Sequence, residues 1–182
     1  MSGAGPRWKP GDRRESRAAM LRVDQAGEYG ATRIYAGQLA VLGDRNSAAR
    51  AIAGMANQEE RHRAFFDAMI ARRGVRPTAL QPFWDVAGFA LGAVTAAIGP
   101  EAAMACTAAI ETEIDAHYGA QLDTLGNDDS ELSGAVAEFR AEEVEHRDAA
   151  LEAGAEQAPA YPLLEGAIRL GCRAAIALSK RI

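Results

Sequence analysis

Cysteine is nearly absent, with Cys106 and Cys172 the only two in 182 residues. Two thiols are too few for a disulfide framework and these stand too far apart for a Cys-x-x-Cys site. Both read as small buried apolar side chains in a protein of a reducing compartment. Aromatics make up only 6% of the chain, and strong β-formers are scattered while alanine is abundant, which favours helix over sheet. No apolar run reaches the roughly 20 residues that a spanning helix requires. Basic residues are interleaved with acids and the formal net charge is −5, which argues against a general nucleic-acid binder. No Gly-x-Gly-x-x-Gly dinucleotide fingerprint or flavin motif occurs, so electrons for any redox chemistry come from outside or with a bound substrate. The opening MSGAGPRWKPGDRRESR carries positive charge without an apolar centre, which is not a secretory signal; organelle targeting stays open.

The length suits one domain. Residues 1–14 read as a polar, flexible start and 15–182 as a single helical domain. Within it, helices are expected from about Glu15 to Leu42, Ala48 to Arg73, Pro100 to Leu125, Glu131 to Ala153 and Leu163 to Lys180. Gly43-Asp44-Arg45-Asn46-Ser47 and Gly126-Asn127-Asp128-Asp129-Ser130 are turns, with Asn46 or Ser47 suited to cap the second helix. Arg72 and Arg73 favour that helix's C-terminus, Gly74 its exit, and Pro77 blocks continuation. Residues 82–99 form an apolar crossover between two helical hairpins, with Phe83, Trp84, Val86, Phe89, Leu91, Val94 and Ile98 and no charge from Val86 through Pro100. The last helix, 163–181, is amphipathic. Glu165, Arg169, Arg173 and Lys180 share a narrow stripe and leave a broad face of Leu164, Ile168, Leu170, Ala174, Ala175 and Leu178. Packing on the bundle and lying at a membrane surface suit that face equally.

Two copies of one metal-ligand pattern dominate what remains. Glu28 precedes Glu59-x-x-His62 by 31 positions, and Glu111 precedes Glu143-x-x-His146 by 32. Residues three apart on a helix point to one side, so each Glu-x-x-His supplies two ligands to one interior point. In an antiparallel hairpin, residues equidistant from the turn lie at one level, since both helices rise about 1.5 Å per residue. Glu28 and Glu59 are equidistant from Gly43-Asp44, and Glu111 and Glu143 from Asn127. Four carboxylates and two imidazoles so arranged are what a ferritin-like four-helix bundle uses to hold two iron ions, the lone glutamates terminal and the motif glutamates bridging. Four negative charges become tolerable in a core when two divalent cations neutralise them, and this donor set suits iron or manganese. A single Glu-x-x-His in a chain with 25 acids would be weak evidence; two mirrored copies, using two of three histidines, are not readily accidental.

Other polar residues read less sharply. Glu60, Glu142 and Glu145 adjoin ligands but project elsewhere, to the surface or to support the ligands. Glu113 and Asp115 read as solvated. His117 and Tyr118 lie two turns beyond Glu111, where a proton or electron relay and ordinary packing are both open.

The strings LRVDQAGEYGATRIYAGQ, QEERHRAFF, ACTAAIETEIDAHYGAQ, FRAEEVEHRD and APAYPLLEGAIRLGCRAAIALSKRI together resemble the 5-demethoxyubiquinone hydroxylases of ubiquinone biosynthesis. The resemblance covers nearly the whole chain after about residue 18 and includes positions that are not ligands. It implies an oxygen-dependent di-iron monooxygenase that hydroxylates a demethoxyubiquinone or demethoxyubiquinol ring. It further implies Glu28, Glu59, His62, Glu111, Glu143 and His146 as ligands of two iron ions, and His117 with Tyr118 as a His-Tyr pair in a proton or electron relay. External reductant, with NADH as candidate donor, O2, a polyprenylated quinone substrate and a membrane surface follow from it. So does a lipid-binding partner or other protein of the same pathway; a homo-oligomer is the competing use of the apolar surface. The expected location is peripheral, on the cytoplasmic face of a bacterial membrane, with the matrix face of the mitochondrial inner membrane as alternative. The rival reading is a ferritin-like ferroxidase or iron-binding protein without quinone chemistry. A rubrerythrin-type peroxidase would carry a cysteine-rich module, and a non-catalytic scaffold would not need six ligands.

Overall fold

The computed structural model describes residues 13–44, 47–126 and 128–182. Expectations for residues 1–12, for Asn46 as a cap and for Asn127 as a turn centre lie outside those residues. The described chain is all helix: α1 (Arg13–Leu42), α2 (Ser47–Arg73), α3 (Gln81–Ile98), α4 (Pro100–Leu125), α5 (Ser130–Glu152) and α6 (Tyr161–Ser179), with one 3-10 turn at Ala155–Gln157. No strand occurs among the described residues.

Local chemistry sets the ends. α2 closes on Arg72 and Arg73, and Gly74 turns the chain at φ 63°, a left-handed geometry that costs glycine nothing. The Asp129 side chain accepts from the Leu132 amide at 3.3 Å and caps α5. Arg73 also donates to Asp129 at 3.0 Å and to Glu131 at 2.9 Å, fastening the end of α2 to the start of α5. α3 and α4 are parted by Gly99 alone, at φ 155°, after which Pro100 opens α4.

Hairpins α1–α2 and α4–α5 pack as the four-helix bundle. Contacts from Gln38 to Ala103 and from Asp24 to Gln121 run α1 antiparallel to α4; those from Arg73 to Asp129 and from Gln58 to His146 do the same for α2 and α5. The core has two main apolar clusters. One holds Tyr35, Ile52, Met55, Met104 and the small α4 residues Ala102, Ala103, Ala105 and Ala108. The other holds Leu21, Phe66, Met69, Tyr118, Leu132, Val136 and Phe139.

The crossover is itself a complete helix, laid along α1 in the same direction. A Cβ added at Gly92 would stand 1.9 Å from the Ile34 carbonyl oxygen, and one at Gly37 2.1 Å from that of Phe89. The two backbones therefore touch with no side-chain layer between them, a contact only glycine permits. Phe83, Val86, Phe89, Val94 and Ile98 are left pointing outward, Val86 with 68% of its surface exposed.

α6 lies against α4 beside α3, and Trp84 Nε1 donates to Ser179 Oγ at 3.1 Å across the pair. Its apolar surface is divided. Ile168 is buried and Leu164 packs inward with Cys106 and Ile110, while Leu163 (77% exposed), Leu170 and Leu178 face out. The charged stripe turns toward the bundle: Arg169 Nε donates to Glu113 at 2.6 Å and Arg173 Nε at 2.8 Å. Glu113 is thus buried, not solvated as expected, because two guanidinium groups from α6 replace its water. Asp115 pairs with Arg140 and Arg147. No described helix is long and apolar enough to cross a membrane.

Candidate metal centre

All six expected ligands converge. Glu28 from α1, Glu59 and His62 from α2, Glu111 from α4, and Glu143 and His146 from α5 are buried. Glu28, Glu59, His62 and Glu143 bring one ligand atom each within 4.8 Å of one another, and so do Glu59, Glu111, Glu143 and His146. Glu59 and Glu143 belong to both groups, whereas Glu28 and His62 serve one and Glu111 and His146 the other. That is the connectivity of two ion positions sharing two bridging carboxylates.

The donor atoms face inward with little else to satisfy them. Glu28 Oε2, both oxygens of Glu59, His62 Nδ1, Glu111 Oε2 and Glu143 Oε1 are buried without a hydrogen-bond partner. His62 Nδ1 lies 3.1 Å from Glu143 Oε1 and 3.5 Å from Glu28 Oε2. His146 Nδ1 lies 3.2 Å from both Glu59 Oε1 and Glu143 Oε2. Buried polar atoms left unpaired cost about 1–3 kcal/mol each, and divalent cations with oxygen and nitrogen donors remove that cost. The residues present fit such ions.

Electrostatics point the same way. Burial, with Glu143 next in effect, pushes the Glu59 and Glu111 carboxyls well above the ordinary range. Burial would lower His62, but the Glu143 and Glu28 carboxylates beside it raise the imidazole to about 10. Burial would raise Glu143, but His146 and His62 pull it down to about 2. These shifts favour uptake of protons by the cluster when no cation is bound, and cation binding would compete with those protons.

A second layer holds the ligands, and it repeats with the symmetry of the hairpins. Tyr35 Oη donates to Glu111 Oε1 at 2.7 Å, and Tyr118 Oη donates to Glu28 Oε1. Each tyrosine lies seven residues after the lone glutamate of its own hairpin and reaches the lone glutamate of the other. Burial, followed by the accepting glutamate, raises both phenols well above their ordinary value, so both remain neutral donors. His117 is separated from its neighbour's role: Nε2 meets Asp24 Oδ1 at 3.1 Å, and Gln121 Nε2 donates to Asp24 Oδ2 at 2.8 Å. The outward nitrogens of the two inner histidines are held as well, His62 Nε2 by Glu142 Oε2 at 2.7 Å and His146 Nε2 by Gln58 Oε1 at 2.8 Å. Glu142 therefore holds the His62 ring rather than standing free at the surface. Glu60 instead pairs with Arg63, and Glu145 is exposed. Tyr35 and Gln58 were missed; the signal for Tyr35 was its spacing from Glu28, the same as that of Tyr118 from Glu111.

Comparison with known proteins decides the family. The model of the family described as ubiquinone biosynthesis protein COQ7 matches residues 15–179. The chain belongs to the COQ7 family. Among its relatives is the 3-demethoxyubiquinol 3-hydroxylase of Rhodospirillum rubrum, 56% identical over 162 residues, covering 89% of this chain and 76% of the relative. The human NADPH-dependent 3-demethoxyubiquinone 3-hydroxylase, mitochondrial, is 51% identical over 174 residues, 92% of this chain and 80% of the relative. The mitochondrial 5-demethoxyubiquinone hydroxylase of Saccharomyces cerevisiae is 39% identical over 179 residues, 90% and 77%. The COQ7 match begins in α1 and ends with α6, so the terminal helix is part of the family's shared chain.

Proposed function

We propose that this protein is a di-iron monooxygenase that hydroxylates the ring of demethoxyubiquinone or demethoxyubiquinol in ubiquinone biosynthesis, using O2. The observation that carries the reading is the pair of four-residue groups sharing Glu59 and Glu143, in which Glu28 Oε2, both Glu59 oxygens, His62 Nδ1, Glu111 Oε2 and Glu143 Oε1 lack a hydrogen-bond partner. The hydroxylase names of relatives at up to 56% identity supply the substrate class.

Glu28, Glu59, His62, Glu111, Glu143 and His146 hold the two iron ions. When bound, the ions supply the O2-activating redox chemistry that no protein side chain can provide. Tyr35 and Tyr118 fix the two terminal glutamates, and Glu142 and Gln58 hold each imidazole with Nδ1 directed inward. Tyr118 is well placed for the proton or electron relay through its contact with Glu28, and His117 joins through Asp24. The apolar clusters exclude water from the centre. The polyprenylated substrate approaches from the α3/α6 side, where Ile34, Ile110 and Ile168, with Leu91 packed against them, form an apolar cluster. That surface rests peripherally on the membrane, no described helix being able to span it, and is also the site for a lipid-binding partner. Electrons come from outside the chain through a reduced nicotinamide. The mammalian relatives' names specify NADPH, where the resemblance alone suggested NADH.

The test is anaerobic loading with ferrous iron, addition of reduced demethoxyubiquinone analogue and labelled O2, and mass analysis of the quinone. Incorporation of one labelled oxygen into the ring is expected. Oxygen consumption with unmodified quinone would replace this reading with the ferroxidase.

A further inference from the structure

The two proposed metal positions draw on the same ligand types, but the groups behind those ligands differ. Each inner histidine turns Nδ1 to the centre, so its Nε2–H donates outward. The acceptor in both cases is the residue immediately before the motif glutamate of the opposite hairpin: Glu142, before Glu143, receives from His62 at 2.7 Å, and Gln58, before Glu59, receives from His146 at 2.8 Å. One acceptor is a carboxylate and the other a neutral amide. Glu142 is further held by Arg61, whose guanidinium donates to the same oxygen at 2.6 Å.

An imidazole that donates to a carboxylate gains electron density at its other nitrogen and becomes the stronger metal ligand; one that donates to an amide gains less. Arg61 moderates the charge of Glu142 but is itself largely exposed and solvated, so the difference between the two acceptors persists. His62 is additionally locked by Phe139, stacked on its ring at 4.1 Å between centroids; the corresponding position before Glu59 is the flexible Met55. Other polar groups follow the same bias. Asp24, His117 and Gln121 form a hydrogen-bonded group on the Glu28 side, whereas the residues equivalent to Asp24 and His117 on the Glu111 side are Thr107 and Ile34.

We infer that Glu142 and Gln58 are positioning residues that make the two metal positions unequal, so that the ion held by Glu28 and His62 binds first and more tightly than the ion held by Glu111 and His146. This rests on the two-metal reading given above. The supported inequality is on the order of tenfold or more, since an outer partner of a ligating histidine is commonly worth 10–100-fold in affinity.

The experiment is anaerobic titration of the full chain with ferrous ion, followed by calorimetry and Mössbauer spectroscopy at one and two equivalents, without quinone or O2. Two resolved binding steps are expected, with a single iron environment at one equivalent. Glu142→Gln, which changes charge but hardly shape, weakens the tighter step about tenfold or more and leaves the weaker one in place. The exchanged double variant Glu142→Gln with Gln58→Glu restores two unequal steps. To assign them, Glu142→Gln is repeated on His146→Ala, where it still weakens binding, and on His62→Ala, where it has no effect. Two equal steps in the unaltered protein, or an unchanged profile in Glu142→Gln, overturn the inference while leaving two ions bound. Fewer than two ions in the unaltered protein would overturn both the inference and the two-metal reading.

Discussion

One side of the bundle, formed by α2 and α5, is a lattice of charge: Arg61 with Glu142, Arg72 with Glu131, Arg73 with Asp129 and Glu131. The other, covered by α3 and α6, shows Phe83, Val86, Val94, Leu163 and Leu170 to the exterior. The first side carries four of the six candidate ligands, and the second covers α1 and α4, which carry the other two. The charged side contributes both histidines and sets their orientation through ion-paired and amide groups. The apolar side contributes none of the six candidate ligands, yet under the proposed function it carries the surface a lipid-soluble ring would meet first. The contrast separates two tasks that a redox site with a greasy substrate must combine, holding highly charged ions and admitting a molecule that avoids charge.

The sharpest way to break the comparison is at its centre. Glu143→Ala removes a carboxylate common to both groups, and hydroxylation is expected to fall to background with no more than one ferrous ion retained, measured by product mass and metal content. On the apolar side, Gly92→Val forces α3 away from α1. Overpacking of this kind costs about 1–3 kcal/mol or more, read as a drop in melting temperature, and no comparable loss is expected from Glu145→Val on the exposed charged side.

Glu113 sits where charge reaches across to the apolar cover. Glu113→Gln should cost only about 1 kcal/mol, because Arg169 and Arg173 can turn back to water. Arg173 first, and Arg169 after it, hold the Glu113 carboxyl below its ordinary range against the opposing effect of burial. A depressed folded value means that the stabilisation is present above the unfolded carboxylate range and is lost as pH falls through the folded value. Unfolding curves of the two proteins should differ at pH 7 and converge in acid. The smallest effect on the bundle itself is expected from Leu163→Ser with Leu170→Ser and Leu178→Ser, which leaves the melting temperature nearly unchanged. Sedimentation with anionic vesicles should then fall about tenfold or more, from the lost burial of three leucines; unchanged vesicle binding would remove the lipid-facing role from α6.

Much of this was legible in the residues. The turns, Pro100 and the paired arginines located helix boundaries to within about two residues, and the mirrored Glu and Glu-x-x-His patterns named six side chains that converge. Candidate ligands are legible because their chemistry is unusual and their spacing is local. Tyr35 and Gln58 were not, since a tyrosine in an apolar stripe and a glutamine beside a glutamate are ordinary until a second helix is brought opposite them. The crossover was recognised as apolar, but the glycines that press it onto α1 act only through a partner 50 or so residues away in sequence, a long-range effect that local pattern does not carry. The orientation of α6 turned on Glu113, whose burial depends on two arginines arriving from the end of the chain.

The glycine seam between α1 and α3 has a mechanical meaning. Ordinary helix pairs are separated by interlocking side chains that can change rotamer and absorb a small displacement; here carbonyl oxygens of one helix rest on the Cα atoms of the other. Tyr29 and Arg33 add a further brace, both reaching Asp85. Few side chains lie between α3 and α1 to absorb a displacement of the outer helix, and α1 carries Glu28. Close backbone contact and the Asp85 brace thus tie the outer apolar helix to the helix that holds Glu28.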